Sequence, residues 1–293
     1  MLDLQNVTKT FGNVKALDDL TMTVPRGAVY GLVGPNGAGK STAIRCLLGL
    51  YRPACGTVTL DGAPVYENPV AKARIGSIPA DIFYFPSATM EDMRKFYQGI
   101  YPKFDQALYY KLFEAFDLPK KAPLRRFSKG MQKQAAFHLT LCTRPEVLVL
   151  DEPVDGLDPV MRRQVWSLIL SEVAKEETTV LISSHNLREL EDICDHVGIM
   201  DHGRMLLQRS LADMQGATHK LQLVGNIPEG LEILHQNQSG RLTTLIVRGK
   251  AEDIAAKAQA AQCVYFDVLP LSLEEIFIYE LGGVNYEVKN IVL

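Results

Sequence analysis

Gly34-Pro35-Asn36-Gly37-Ala38-Gly39-Lys40-Ser41-Thr42 decides how this chain of 293 residues is read. The stretch fits the pattern G-x-x-x-x-G-K-[ST]. Its glycines let the backbone turn inward, so that N–H groups converge on anionic oxygens. The segment from Ser41 to Leu50 looks helical, and a helix start adds the positive end of its dipole. Lys40 then supplies a point charge to β- and γ-phosphates, and the Ser41 hydroxyl is a ligand for Mg²⁺. A chance match to the four fixed positions is expected in on the order of 1% of chains this long. The preceding run, Ala28–Val33, is continuously apolar and reads as a buried strand.

Further along, Val147–Leu150 is another short buried strand and ends in Asp151-Glu152. Such a strand delivers Asp151 to an Mg²⁺ shell. Glu152 falls at the C-terminal edge, where α/β sheets place their ligands, and can orient or deprotonate a water. Ser128-Lys129-Gly130-Met131-Gln132 opens a helix predicted to reach Leu141. Ser128 is either a simple N-cap or, with the Gly130 N–H, a γ-phosphate contact. His185 follows the buried strand Thr179–Ile182 and two serines. It is either a structural histidine or a donor to the γ-phosphate. Pro159 reads as the first residue of a helix in which Val160, Val165, Leu168, Ile169 and Val173 are spaced to pack. Strands alternating with helices argue for a largely parallel α/β sheet. Before it, residues 1–25 alternate weakly, as antiparallel strands do.

The rest of the chain narrows the class. Charged residues make up 22% and the net charge is −3, which gives no electrostatic footprint for nucleic acid. The longest apolar run, Ala28–Gly34, is far short of the roughly twenty residues of a membrane span. Five scattered cysteines form no CxxC pair, and no signal peptide is evident. A cytoplasmic chain follows, with any membrane role exercised through a partner. Residues 81–116 hold eleven of the 23 aromatics, either as the core of a helical subdomain or as a partly exposed docking patch. Lys120, Lys121, Arg125, Arg126, Lys129 and Lys133 form a basic run that reads as a solvated face, or as one that steers a triphosphate or faces lipid headgroups. Near residue 215 the texture changes. Strands over 220–224, 243–247 and 263–268, helices over 251–261 and 272–281, and a Gly282-Gly283 stop make a small α+β module.

In this order, GPNGAGKST (34–42), FSKGMQKQ (127–134), VLVLDEPVDGLDP (147–159) and LISSH (181–185) resemble the ATP-binding cassette (ABC) ATPases. The signature FSKGM, the C-terminal LEEIFIYEL (273–281), FYQGIYPKFD (96–105) and SSHNLRELEDICDH (183–196) are similar to the bacterial ABC-2-type group and its Ytr-like branch. The resemblance implies a P-loop NTPase cassette over residues 1–215: a parallel sheet core, an antiparallel β subdomain and a helical subdomain at about 81–143. An accessory C-terminal α+β domain would occupy 216–293. Two cassettes would meet head to tail, as a homodimer or heterodimer, enclosing two ATP molecules with Mg²⁺.

Carried over by motif, Gly34, Asn36, Gly37, Ala38, Gly39, Lys40, Ser41 and Thr42 would bind nucleotide, with Thr42 at the α-phosphate and Phe11 stacked on adenine. Ser41 and Asp151 would hold Mg²⁺, and Glu152 and His185 would be catalytic. Ser128 and Gly130 would touch the opposite protomer's ATP, and Asp158 would couple the two sites. The implied function is an ATPase subunit, peripheral on the inner face of the cell membrane, powering a separate integral membrane permease, an exporter, with no nucleic-acid partner. One position departs from the family: Ala80 stands where a glutamine is usual, and Asp81 is a candidate substitute. That departure keeps a second reading open, a mainly regulatory cassette paired with another catalytic subunit. A soluble repair or translation ATPase is disfavoured, because only 111 residues separate Lys40 from Asp151, with no heptad run and a single cassette.

Overall fold

The computed structural model describes residues 1–176 and 178–281; the expected Gly282-Gly283 stop lies outside them. In the first part of the chain the elements are β1 (Leu2–Phe11), β2 (Val14–Val24), β3 (Val29–Val33), α1 (Lys40–Leu47), β4 (Cys55–Leu60), β5 (Ala63–Pro64), α2 (Pro69–Lys72) and β6 (Ile75–Ile78). Next come α3 (Met90–Ile100), α4 (Gln106–Phe116), α5 (Lys129–Leu141), β7 (Val147–Asp151), α6 (Pro159–Glu176) and β8 (Thr179–Ser184). The remainder is α7 (Arg188–Glu191), β9 (His196–Asp201), β10 (Arg204–Ser210), α8 (Leu211–Ala217), β11 (Thr218–Val224), β12 (Glu232–Ser239), β13 (Leu242–Arg248), α9 (Ala251–Ala260), β14 (Tyr265–Pro270) and α10 (Leu273–Leu281). Two compact units result: Met1–His185 with His196–Gln208, and Asn186–Asp195 with the chain from Arg209 onward.

In the first unit, β2-β1-β4-β5 form an antiparallel sheet. The weak alternation of the N-terminal sequence has a structural cause. The β1–β2 register shifts between Leu4 and Val7, and Asn6 and Asp19 take left-handed φ of 52° and 55°. Such bulges break the period of two locally. Even so, Leu2, Leu4, Val7, Leu17, Leu20, Met22 and Val24 are all fully buried. Asp61 and Gly62, both at positive φ, turn β4 into β5, as a tight hairpin requires.

The second sheet has the order β10-β9-β3-β8-β7-β6, and its pairs from β9 to β6 are parallel. β3, β7 and β8 are buried at every position, which explains their unbroken apolar runs. Being parallel, they bring Gly34, Asp151 and Ser184 to one edge. The sequence reading contains no strand at β9 or β10. Gly198 interrupts the β9 pattern, and it is needed there, since a Cβ would collide with the Tyr30 hydroxyl. β10, Arg204–Ser210, is a largely polar strand at the sheet edge.

Side-chain caps set the helix starts around residues 89–141. Thr89 and Asp92 form a reciprocal capping box on α3, Asp105 caps α4, and Ser128 caps α5. The aromatic segment divides between core and surface. Tyr84 and Tyr109 are buried, whereas Phe83, Phe85, Phe96 and Tyr110 are exposed. In α6, Val165 and Ile169 pack inward as expected, but Val160 is 63% exposed. It stands in the first turn, whose N–H group is turned to the Asp158 cap.

His138 lies in this helical region, with its ring centroid 4.5 Å from that of Tyr109. Its Nε2 meets the Tyr109 carbonyl oxygen at 2.7 Å. Burial holds its pKa down at about 4. The unfolded imidazole titrates near 6.5, so the unfolded chain takes up the proton first. Stability is therefore expected to fall as pH drops from about 6.5 towards 4, by up to roughly 3 kcal/mol from this residue. Melting temperatures across that range test the point. His138→Phe should flatten the slope; an unchanged slope would assign the acid sensitivity to other groups.

In the second unit, β12-β13-β11-β14 form an antiparallel sheet. Its core is Leu221, Leu223, Leu245 and Val247 against Ile254 and Ala258 of α9. β12 is absent from the sequence reading. Its segment, EILHQNQS, is exposed throughout and sits at the sheet edge, so it carries no apolar pattern.

Candidate functional site

The turn between β3 and α1 is built from residues that tolerate close approach. Gly37 and Gly39 sit at φ 86° and 102°, where a side chain would be strained. Gly39 has a second constraint, since a Cβ there would stand 2.7 Å from the Ala16 carbonyl oxygen. The turn opens into a cavity of about 410 Å³. Asn36 through Thr42 form its floor, with Val14, Lys15 and Ala16 on one side and Glu152, His202 and Gly203 completing the wall.

Lys40 is 5% exposed. Its Nζ donates to the Gly34 carbonyl at 2.6 Å and the Pro35 carbonyl at 3.2 Å, and stands 4.0 Å from Glu152 Oε1. Burial lowers its pKa, and the Glu152 and Asp151 carboxylates work the other way. The Ser41 hydroxyl donates to Asp151 Oδ1 at 3.3 Å, and the Ser183 hydroxyl donates to the same oxygen at 2.6 Å. The Glu152 N–H in turn donates to Ser183 Oγ at 3.0 Å. His185 Nδ1 lies 3.5 Å from Glu152 Oε1. A lysine, a serine, two carboxylates and an imidazole, distant in sequence, thus form one linked cluster, of which Lys40, Ser41 and Glu152 line the cavity while Asp151 and His185 lie behind or beside them.

The hydroxyl of Ser41 and the carboxylate of Asp151 are hard oxygen donors within reach of each other, a fit for Mg²⁺ completed by phosphate and water. The cavity can accept a triphosphate along the turn and leave Glu152 beside its end.

The other candidates are placed differently. Ser128 and Gly130 do not line the cavity. Ser128 is exposed, and its Oγ accepts the Met131 N–H at 3.2 Å. Asp158 accepts the Val160 and Met161 N–H groups, both at 3.0 Å, and so caps α6. Phe11 is outside the cavity wall, its exposed ring edge-on to Tyr51 at 5.3 Å. Asp81 is exposed beyond β6 and does not line the cavity either. Several contributors carry no site signal in the sequence: Val14, Lys15, Ala16, His202 and Gly203 line the cavity without one, whereas Ser183 has a signal in the Ser-Ser-His run. Lys133 is a correction. It is buried, and so does not belong to the solvated basic face.

A family model described as ABC transporter matches residues 17–155. Nod factor export ATP-binding protein I of Burkholderia lata is 32% identical over 296 residues, spanning 96% of this chain and 97% of that one. The chain belongs to the ABC transporter ATP-binding proteins. The ABC transporter ATP-binding protein YtrB of Bacillus subtilis is 29% identical over 288 residues, covering 97% of this chain and 99% of its own length. A solved ATP-binding subunit of an ABC transporter superposes with a TM-score of 0.68 at 26% identity, over 73% of this chain and 92% of that one. As a member of this family the chain is an ABC ATPase, built on the P-loop cassette fold that the sequence resemblance implies. No helix among the described residues is long and apolar enough to cross a membrane.

Proposed function

We propose that this ABC ATPase works as one half of an ATP-driven pair, bound to the inner face of a membrane and moving a separate integral permease in the direction of export. The observation that carries the reading is the division of labour within one chain. Lys40, Ser41 and Glu152 line the cavity, Asp151 stands behind Ser41 and His185 beside Glu152, while Ser128 and Gly130 have no part in this cluster. A Cβ on Gly130 would meet only ordinary contacts, 3.6 Å from Leu157 Cδ2. Its own chain does not demand a glycine there, so an approach from outside is the natural use. A second cassette, identical or related, supplies that approach through two-fold pairing.

In this reading the turn's N–H groups and Lys40 grip the triphosphate, and Thr42 contacts the α-phosphate. Ser41 and Asp151 would hold Mg²⁺, which when bound neutralises charge on the β- and γ-oxygens. Glu152 orients the attacking water and takes its proton. His185 donates to the γ-phosphate, the partner's Ser128 hydroxyl and Gly130 N–H cover its far side, and Asp158 links the two sites. Phe11, half-exposed with its ring edge-on to Tyr51, would meet the base. The nearby Glu152–His185 contact supports a catalytic over a purely regulatory cassette. The export direction rests on the name of the Burkholderia relative.

Phe83, Phe85 and Phe96 form an exposed chain of edge-on rings at 6.3 and 5.6 Å, with the Arg125 guanidinium 6.0 Å from the Phe83 ring. Large exposed aromatics beside a cation suit an amphipathic cytoplasmic loop of the permease. The test is to purify the chain from detergent-solubilised membranes and identify what accompanies it. An integral membrane protein should co-purify with the native chain and be lost with a Phe85→Glu/Phe96→Glu variant that still hydrolyses ATP. Recovery of no membrane protein with the native chain would overturn the separate-permease reading. Equal recovery with the variant would move the docking surface elsewhere.

A further inference from the structure

Lys133 sits at 7% exposure on α5, five residues beyond Ser128. Burying an ammonium is unfavourable unless its donors are taken up. Two main-chain oxygens accept from it, the Asp155 carbonyl at 2.6 Å and the Glu152 carbonyl at 3.1 Å. The segment it grips is a closed turn, in which the Asp155 N–H donates back to the Glu152 carbonyl at 3.3 Å. Within that turn Glu152 itself takes φ 46°, a left-handed conformation that a non-glycine residue keeps only when its surroundings enforce it.

The enforcement comes from two sides. Ser183 receives the Glu152 N–H, through its hydroxyl at 3.0 Å and its carbonyl at 3.2 Å. Lys133 takes the Glu152 C=O. The peptide units flanking the Glu152 side chain are therefore pinned at both ends, one by the strand β8 and one by the helix α5. The same α5 begins at Ser128–Gly130, and rigid secondary elements are among the parts of a fold that carry coupling between sites.

We propose that Lys133 is a positioning residue. It couples the nucleotide engaged by Ser128–Gly130, which belongs to the partner cassette, to the placement of Glu152 over the nucleotide in its own chain. The inference rests on the paired-cassette reading above. Lys133 touches no substrate; it acts through the main chain of Glu152. ATP that draws the start of α5 towards the partner shifts the ammonium, and with it the carboxylate that activates water. Each site is then tuned by occupancy of the other.

The test uses the full chain with MgATP. Lys133→Met should lower kcat about tenfold or more, as a misplaced catalytic group does, with KM changed less than about twofold. Lys133→Arg, whose guanidinium can reach both carbonyls, should recover a third or more of the native rate, roughly, by keeping the charge and the donors. Combining Lys133→Met with Ser128→Ala should slow turnover little beyond the slower single variant, because both interrupt one route. Should Lys133→Met fail to fold, Lys133→Gln, which keeps a shorter donor, enters the same comparison. An unchanged kcat, a loss confined to KM, or multiplying effects with Ser128→Ala would overturn the coupling. If Ser128→Ala alone left turnover unchanged, the paired-cassette reading would fall first, an outcome distinct from a slow Ser128→Ala beside a native-like Lys133→Met.

Discussion

Glu152→Gln is expected to bind ATP as the native chain does while losing turnover by a factor of about 10² to 10³. The carboxylate lines the cavity and stands 4.0 Å from Lys40 Nζ and 3.5 Å from His185 Nδ1. An amide of the same shape keeps a polar oxygen at this position but cannot accept a proton from water. The fold should not register the change. The turn that carries residue 152 is fixed through its main chain, by Ser183 on one side and Lys133 on the other, and neither contact involves the substituted group. With the bond to the γ-phosphate left uncut, the paired state should accumulate, and size-exclusion chromatography in MgATP should show it as a dimer. Hydrolysis at the native rate would remove Glu152 as the base. A variant that no longer bound ATP would give its carboxylate a structural role instead.

Lys40→Ala should abolish useful nucleotide binding. The ammonium donates to the Gly34 and Pro35 carbonyls of the turn. A triphosphate offers it stronger, charged acceptors. Losing charge-assisted bonds to phosphate oxygens costs about 3 kcal/mol or more, a rise in Kd of a hundredfold or greater. The substitution also removes a cation beside Asp151 and Glu152, whose negative charge then opposes an incoming anion. Equilibrium binding of a fluorescent ATP analogue, with Lys40→Arg as a control for charge, decides the matter. Native affinity in Lys40→Ala would withdraw the assignment of residues 34–42 to phosphate.

The parts of the molecule legible in the sequence are those whose chemistry is local. Residues 34–42 specify a turn, a helix start and a cation within one contiguous stretch. Ser128 and Pro159 mark helix starts because caps act on neighbouring N–H groups. What the sequence hides is set by contacts across the fold. Lys133 reads as one more surface charge because the Glu152 and Asp155 carbonyls that take up its ammonium are brought beside it only by the fold, through β7 and α5. Ser183 carries no sign that its hydroxyl joins Asp151 to the Glu152 backbone. The glycine of β9 weakens a strand signal for the sake of a Tyr30 side chain more than a hundred and fifty residues upstream. The aromatic segment announces its abundance but not which rings face outward, since packing of α3, α4 and α5 makes that division.

The short helix α7 follows His185 by a few residues, yet it packs with α10 as part of the unit formed by the later chain. Glu191 takes the Leu273 N–H at 3.2 Å, and Arg188 pairs with Glu274 at 2.8 Å. Ending this chain after Gln208 would thus deprive α7 of its Leu273 and Glu274 partners, so the short helix that follows His185 depends on chain more than eighty residues downstream.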